Sequence, residues 1–173
     1  MRIPALFAIP LLLAACQSLP GYEYPTAPTP QPELTRVTLN QPLRIRADYA
    51  SVYIQDGRVR PTNTAAEYHP HCIFELRTVA PVARTVQPET FRVTGIRRDR
   101  YMAGMDGLLL AGLAFGGGGD YNPVMSTTTI SLHSDRQPDV FRLSCQQLDE
   151  PFRAHHVTVA EMQQTLGDLL TLQ

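Results

Sequence analysis

The sequence contains no lysine and no tryptophan. Without lysine there is no Schiff-base amine, and a phosphate-binding P-loop cannot be completed. All 15 basic residues are arginines, set against 16 acidic residues for a formal net charge of −1. That balance argues against a nucleic-acid binder, which needs a surplus of cations to displace counterions from phosphates. Charge is sparse altogether, at 18% of residues, against roughly 25% in soluble domains. Catalytic signatures are missing too: there is no Gly-x-Ser-x-Gly elbow, no His-Glu-x-x-His and no Cys-x-x-Cys. The acidic residues Asp99, Asp106, Asp120 and Asp135 are scattered near turns, where solvated loop roles are common, and their spacing alone identifies no carboxylate pair. The reading is of a protein that is not an enzyme and has no cofactor.

What is present is more informative. The chain has 173 residues, 43% of them apolar, enough for one domain of ordinary size with a packed core. Met1-Arg2 is followed by an uncharged stretch from Ile3 to Ala15, the layout of a secretory signal. As a helix those residues would span roughly 20 Å, short of a ~30 Å bilayer core, and Pro4 and Pro10 interrupt them. The stretch ends Leu13-Ala14-Ala15-Cys16, which resembles the lipobox of bacterial lipoproteins. The resemblance implies removal of residues 1–15, a diacylglyceryl thioether on Cys16 and fatty acylation of the new amino group. Anchoring by two or three acyl chains is far firmer than by one, at ~0.8 kcal/mol per buried CH₂. Gln17, where an aspartate would signal retention, implies delivery to the outer membrane, facing the periplasm.

Residues 16–40 read as a tether. Pro20, Pro25, Pro28, Pro30 and Pro32 fall in a stretch without apolar periodicity, which favours an extended polyproline II chain. About 24 such residues at ~3.1 Å each reach roughly 75 Å.

Residues 41–173 read as the folded domain. Apolar residues alternate with polar ones at Leu43 to Ala47, Val52 to Ile54, Cys72 to Val79, Phe91 to Gly95, Thr128 to Leu132 and Phe141 to Cys145. A period of two marks half-buried strands, and Asp56-Gly57 is a hairpin turn signal leading into Arg58 to Arg60. The expected class is mainly β (α+β): an antiparallel, sandwich-like sheet of about six strands. The end differs, because Val159, Met162, Leu166, Leu169 and Leu170 recur at helical spacing. Thr158 with Glu161 forms a capping box, so one C-terminal helix is predicted over 159–170. Gly167 weakens it by ~1 kcal/mol relative to alanine.

With Cys16 committed to lipid, Cys72 and Cys145 remain as an even pair in an oxidising compartment. Each shares a face with apolar neighbours, Phe74 and Leu76 for one, Phe141 and Leu143 for the other. A disulfide between them is expected.

Three further features are candidate binding elements. Met102 to Phe115 is rich in glycine and leucine, and Leu108, Leu109, Leu110 and Phe115 could form an apolar arm for a partner or membrane. The Gly116 to Gly119 run that follows lacks the lysine and hydroxyl residue a nucleotide would need. His69 and His71 in His-Pro-His-Cys would share a face in extended chain and could hold copper or zinc with a third ligand from His133, His155 or His156. Arg97, Arg98 and Arg100 around Asp99 could contact an anion.

The segments Val52 to Gly57, Tyr68 to Leu76 and Phe91 to Thr94 resemble parts of small uncharacterised proteobacterial envelope lipoproteins. The resemblance spans roughly residues 50–100 and implies location, not activity. The expected function is that of a lipid-anchored cell-envelope module, accessory or scaffolding, binding another envelope protein. The competing expectation is a periplasmic small-ligand or metal-binding domain using His69 and His71.

Overall fold

Alternation of apolar and polar residues gives each strand one face to bury, and the computed structural model assembles those faces around a single core. It describes residues 34–61, 64–102 and 122–173. The leader, Cys16, the proline stretch before Leu34, and Leu108, Leu109, Leu110 and Phe115 lie outside the described residues. The described elements are strands β1 (Arg36–Leu39), β2 (Leu43–Ile45), β3 (Ser51–Gln55), β4 (Arg58–Arg60), β5 (His71–Leu76), β6 (Arg84–Val86), β7 (Glu89–Met102), β8 (Val124–His133) and β9 (Val140–Asp149), then helix α1 (Val159–Leu166) and strand β10 (Leu170–Leu172). The class is mostly β with a curled antiparallel sheet and one helix near the C-terminus. The strands outnumber the expected six. Those that alternation did not reveal, β1, β6 and β10, are three or four residues long, too short to display a period.

Eight strands form one antiparallel sheet in the order β10-β1-β7-β8-β9-β5-β3-β4, while β2 and β6 pair separately. The long strands β7, β8 and β9 are its spine. Val37, Leu39, Ile54, Phe74, Phe91, Ile130, Leu143, Met162, Leu166 and Leu170 are at most 2% exposed and belong to one cluster. Leu34 to Leu39 contribute to it, although composition assigns them to the tether. The folded part therefore starts before residue 41.

Cys72 and Cys145 stand directly opposite each other on β5 and β9 and are disulfide-bonded, with Cα atoms 4.1 Å apart. Both are fully buried beside Phe74 and Leu143. The Asp56-Gly57 turn joins β3 to β4, with φ of 55° and 68°. Two successive positive values are what a two-residue hairpin turn matched to strand twist requires.

Helix α1 begins as the capping box predicts. The Glu161 N–H donates to the Thr158 hydroxyl, and the Thr158 N–H donates to the Glu161 carboxylate at 2.8 Å. Thr158→Ala is expected to cost about 1 kcal/mol, read as a lower urea midpoint at unchanged slope. A loss below a few tenths of a kcal/mol would show that water replaces the cap. The helix stops at Leu166, four residues short of the expected end at 170, because Gly167 turns the chain at φ 55°. Leu170 to Leu172 then pair with β1. The outer edge of that strand is covered by Gln163. Its amide donates to the Leu170 carbonyl, and its carbonyl oxygen accepts from the Leu172 N–H, both at 2.9 Å. A side-chain amide thus occupies an edge that would otherwise template pairing with another chain.

Candidate functional site

Residues opposite each other on neighbouring strands share a face. The face away from the core therefore collects the polar half of each alternation: Arg97, Asp99 and Tyr101 of β7, Thr127 and Thr129 of β8, Ser144 and Gln146 of β9, and Ile73 and Glu75 of β5. Together with Arg142 they line an open groove of about 270 Å³.

Its charges are largely neutralised from within. Arg142 donates twice to Glu75, from Nε to Oε1 and from Nη2 to Oε2, both at 2.9 Å. This fork-to-fork geometry is the strongest form of the pair, and the bond to Glu75 raises the arginine's pKa further. Ser144 adds a 3.3 Å hydrogen bond to the same carboxylate. At the other wall Arg97 and Asp99 pair at 3.2 Å. The groove thus presents hydroxyls, amides and satisfied ion pairs, with Tyr101 about half exposed at its rim. Ser144 is not set up as a nucleophile, since the carboxylate it donates to is already clamped by Arg142. Such a surface suits recognition of a neutral polar partner, for which no buried charge has to be stripped of its own counter-ion.

A second network runs along the groove's edge. The Thr127 hydroxyl donates to Gln146 Oε1 at 3.3 Å, and Gln146 Nε2 lies 3.0 Å from His71 Nε2. His71 Nδ1 lies 3.2 Å from the His69 carbonyl. A carbonyl only accepts, so Nδ1 carries the proton and Nε2 accepts from the amide. Burial holds the pKa of His71 below its ordinary value, in keeping with this neutral tautomer. Its ring also stacks on Tyr53, centroids 6.4 Å apart.

This disposes the sequence-predicted residues as follows. His69 and His71 do not present paired nitrogens: His69 is exposed in the preceding turn, and both nitrogens of His71 are engaged. Of the third-ligand candidates, His133 contacts Asp135 and His155 contacts Glu161. Among the described residues no group of three or more His, Cys, Asp or Glu is arranged to hold a metal. Arg97 points into the groove while Arg98 and Arg100, alternating with it, lie on the opposite face. The Glu75–Arg142 pair and the Thr127–Gln146–His71 chain were not singled out by sequence. The signal for them was the polar half of the strand alternation. Comparisons with protein families, with curated proteins and with solved structures found no match for this chain.

Proposed function

We propose that the protein is a lipid-anchored cell-envelope module whose β domain binds another envelope component without catalysing a reaction. The observation that carries this reading is the buried Cys72–Cys145 bridge. A structural disulfide persists in oxidising compartments such as the periplasm, which is where a leader ending in Leu13-Ala14-Ala15-Cys16 would deliver the chain. The groove supports the binding half of the proposal. It is open, rich in hydrogen-bonding groups, and internally neutral. The sequence between β7 and β8 adds Leu108, Leu109, Leu110 and Phe115, apolar residues of the kind a partner-binding arm uses.

The anchor is tested by mass spectrometry of the protein isolated from its own cells. The expected N-terminus is Cys16 carrying acyl chains, and Cys16→Ser should retain the leader and lose the acyl mass. Met1 on the mature protein would overturn the anchor. The binding face is tested by a photo-crosslinking residue placed at Tyr101 or, as a control, at the exposed Val82. One dominant adduct from Tyr101 alone is expected, abolished by deleting residues 106–120. Equal adducts from both positions would reject the groove as the docking face.

A further inference from the structure

The groove's arginines are paired with acids, whereas three others gather where acids are scarce. Arg44, Arg46 and Arg60 line one pocket of about 270 Å³, at the β4 edge of the sheet, that shares no lining residue with the groove. Arg44 and Arg46 alternate with the buried Leu43 and Ile45, so both project to one side of the extended chain at β2. Arg60 comes from β4. Tyr49, Val52, Val59 and Pro61 form the apolar part of the wall. Among the described residues the Arg44 side chain has no ion pair and no hydrogen bond. Arg46 holds its guanidinium over the Tyr49 ring, 5.0 Å from the centroid, rather than against a carboxylate. Arg60 donates from Nη2 to Asp56 at 2.8 Å, but that carboxylate is 74% exposed and the pair is screened by solvent. The Arg60 Nε is buried without a partner among the described residues. Asp48 and Asp56, the nearest acids in sequence, lie outside the lining, which contains no acidic residue. Three like charges around one concavity, with a single exposed counter-ion, create a field that favours an anion.

We propose that this pocket binds a small organic carboxylate with an apolar body. Arg44 supplies the uncommitted fork, whose parallel N–H groups match the two oxygens of a carboxylate. Arg46 adds positive field and has no counter-ion to surrender when the ligand arrives. The ring of Tyr49, with Val52, Val59 and Pro61, receives the hydrocarbon. The same wall disfavours a phosphoryl group. It holds one hydroxyl, Ser51, so the further oxygens of a phosphate would be pressed against apolar side chains without hydrogen bonds. At about 270 Å³ the pocket lies just below the ~300–1,000 Å³ usual for ligand sites, which limits the body to one ring or a short chain. The site uses neither His69 nor His71. It goes beyond the reading of the protein as an anchored binding module and does not depend on it.

The test is calorimetric titration of the full chain with hexanoate and benzoate, with acetate, hexanol and hexyl phosphate as comparisons. Saturable binding of hexanoate or benzoate at one site is expected. Acetate, which lacks the apolar body, and hexanol, which lacks the charge, should each bind about tenfold more weakly or not at all. Arg44→Gln should weaken the carboxylate about tenfold with an unchanged melting temperature, because its side chain is exposed and unpaired. Val59→Glu, which sets an anion on the apolar wall at a position 44% exposed, should abolish binding. Arg58→Gln removes the same charge as Arg44→Gln from an exposed residue of β4 outside the lining, and should bind as the parent does. The proposal is overturned if neither carboxylate binds, or if Arg44→Gln binds as the parent does. It is equally overturned if Arg58→Gln weakens binding as much as Arg44→Gln, which would show general charge attraction, or if hexyl phosphate binds more tightly than hexanoate.

Discussion

Replacing Cys72 and Cys145 together by alanine is expected to lower the unfolding free energy by about 4 kcal/mol. The bridge closes a loop of 73 residues. Removing it returns that loop's freedom to the unfolded chain, and the closure entropy of so long a loop corresponds to about 4 kcal/mol at room temperature. This is a large share of the 5–15 kcal/mol typical of a domain. The location of the bridge adds a native-state contribution of the same sign. Both sulfurs are fully buried, so alanine leaves space between β5 and β9 that Phe74 and Leu143 can fill only in part. Urea unfolding of the parent, oxidised and reduced, and of the double variant separates the two contributions. Reduction should account for most of that loss without changing the core volume, and the double variant should lose slightly more. The urea slope of both should rise, because an uncrosslinked chain exposes more surface. A loss under 1 kcal/mol in both would mean that the unfolded chain is already restrained near the bridge.

What the sequence disclosed followed the length over which a pattern could be read. Cys72, Phe74 and Leu76 declared a face because three alternations fit in β5, and that face placed Cys72 against Cys145 before any register was known. The same logic found the middle of β7, β8 and β9 but not their ends. β7 runs for 14 residues from Glu89 to Met102, and beyond Gly95 its faces carry Arg97, Arg98 and Arg100, which offer no apolar mark. β10 was hidden differently. Leu169 and Leu170 continue a helical period after Leu166, so periodicity extends the helix, whereas the backbone at Gly167 ends it. The groove was legible only as an excess of polar residues on strands. Which of those residues meet depends on register across four strands, and register is a tertiary property. Glu75 and Arg142 are 67 residues apart in sequence, so no local pattern joins them. Two residues of β8 show the limit most plainly. Ser126 and Thr128 belong to a Ser-Thr-Thr-Thr run that suggests exposure, yet both are buried.

Gly167→Ala is expected to destabilise the domain by about 3 kcal/mol, for two reasons that act at one atom. The backbone there has φ 55° and ψ −137°, a region that residues with a Cβ occupy only at a cost of about 1–3 kcal/mol. In addition, the new Cβ would stand 2.7 Å from the Gly57 Cα, closer than such atoms approach. Gly57 cannot yield easily. It is the second residue of the β3–β4 turn, itself at positive φ, and its N–H is committed to the Thr165 carbonyl at 2.9 Å. This glycine–glycine contact is where the end of α1 meets the hairpin. Since α1 also packs on β5 and β10, moving it disturbs Leu166 and Leu170 in the core. Two other glycines calibrate the result. Gly57→Ala keeps a positive φ but meets its neighbour at 3.4 Å, so it should cost only about 1 kcal/mol, the backbone part alone. Gly95→Ala places its Cβ in open space within β7 and should be neutral or stabilising by about 0.5 kcal/mol, since alanine has less freedom to lose on folding. Thermal unfolding of the three variants should therefore rank Gly167→Ala well below Gly57→Ala, and Gly57→Ala below Gly95→Ala. Equal losses at Gly167 and Gly57 would mean that the close approach contributes nothing and that backbone conformation alone selects glycine at both positions.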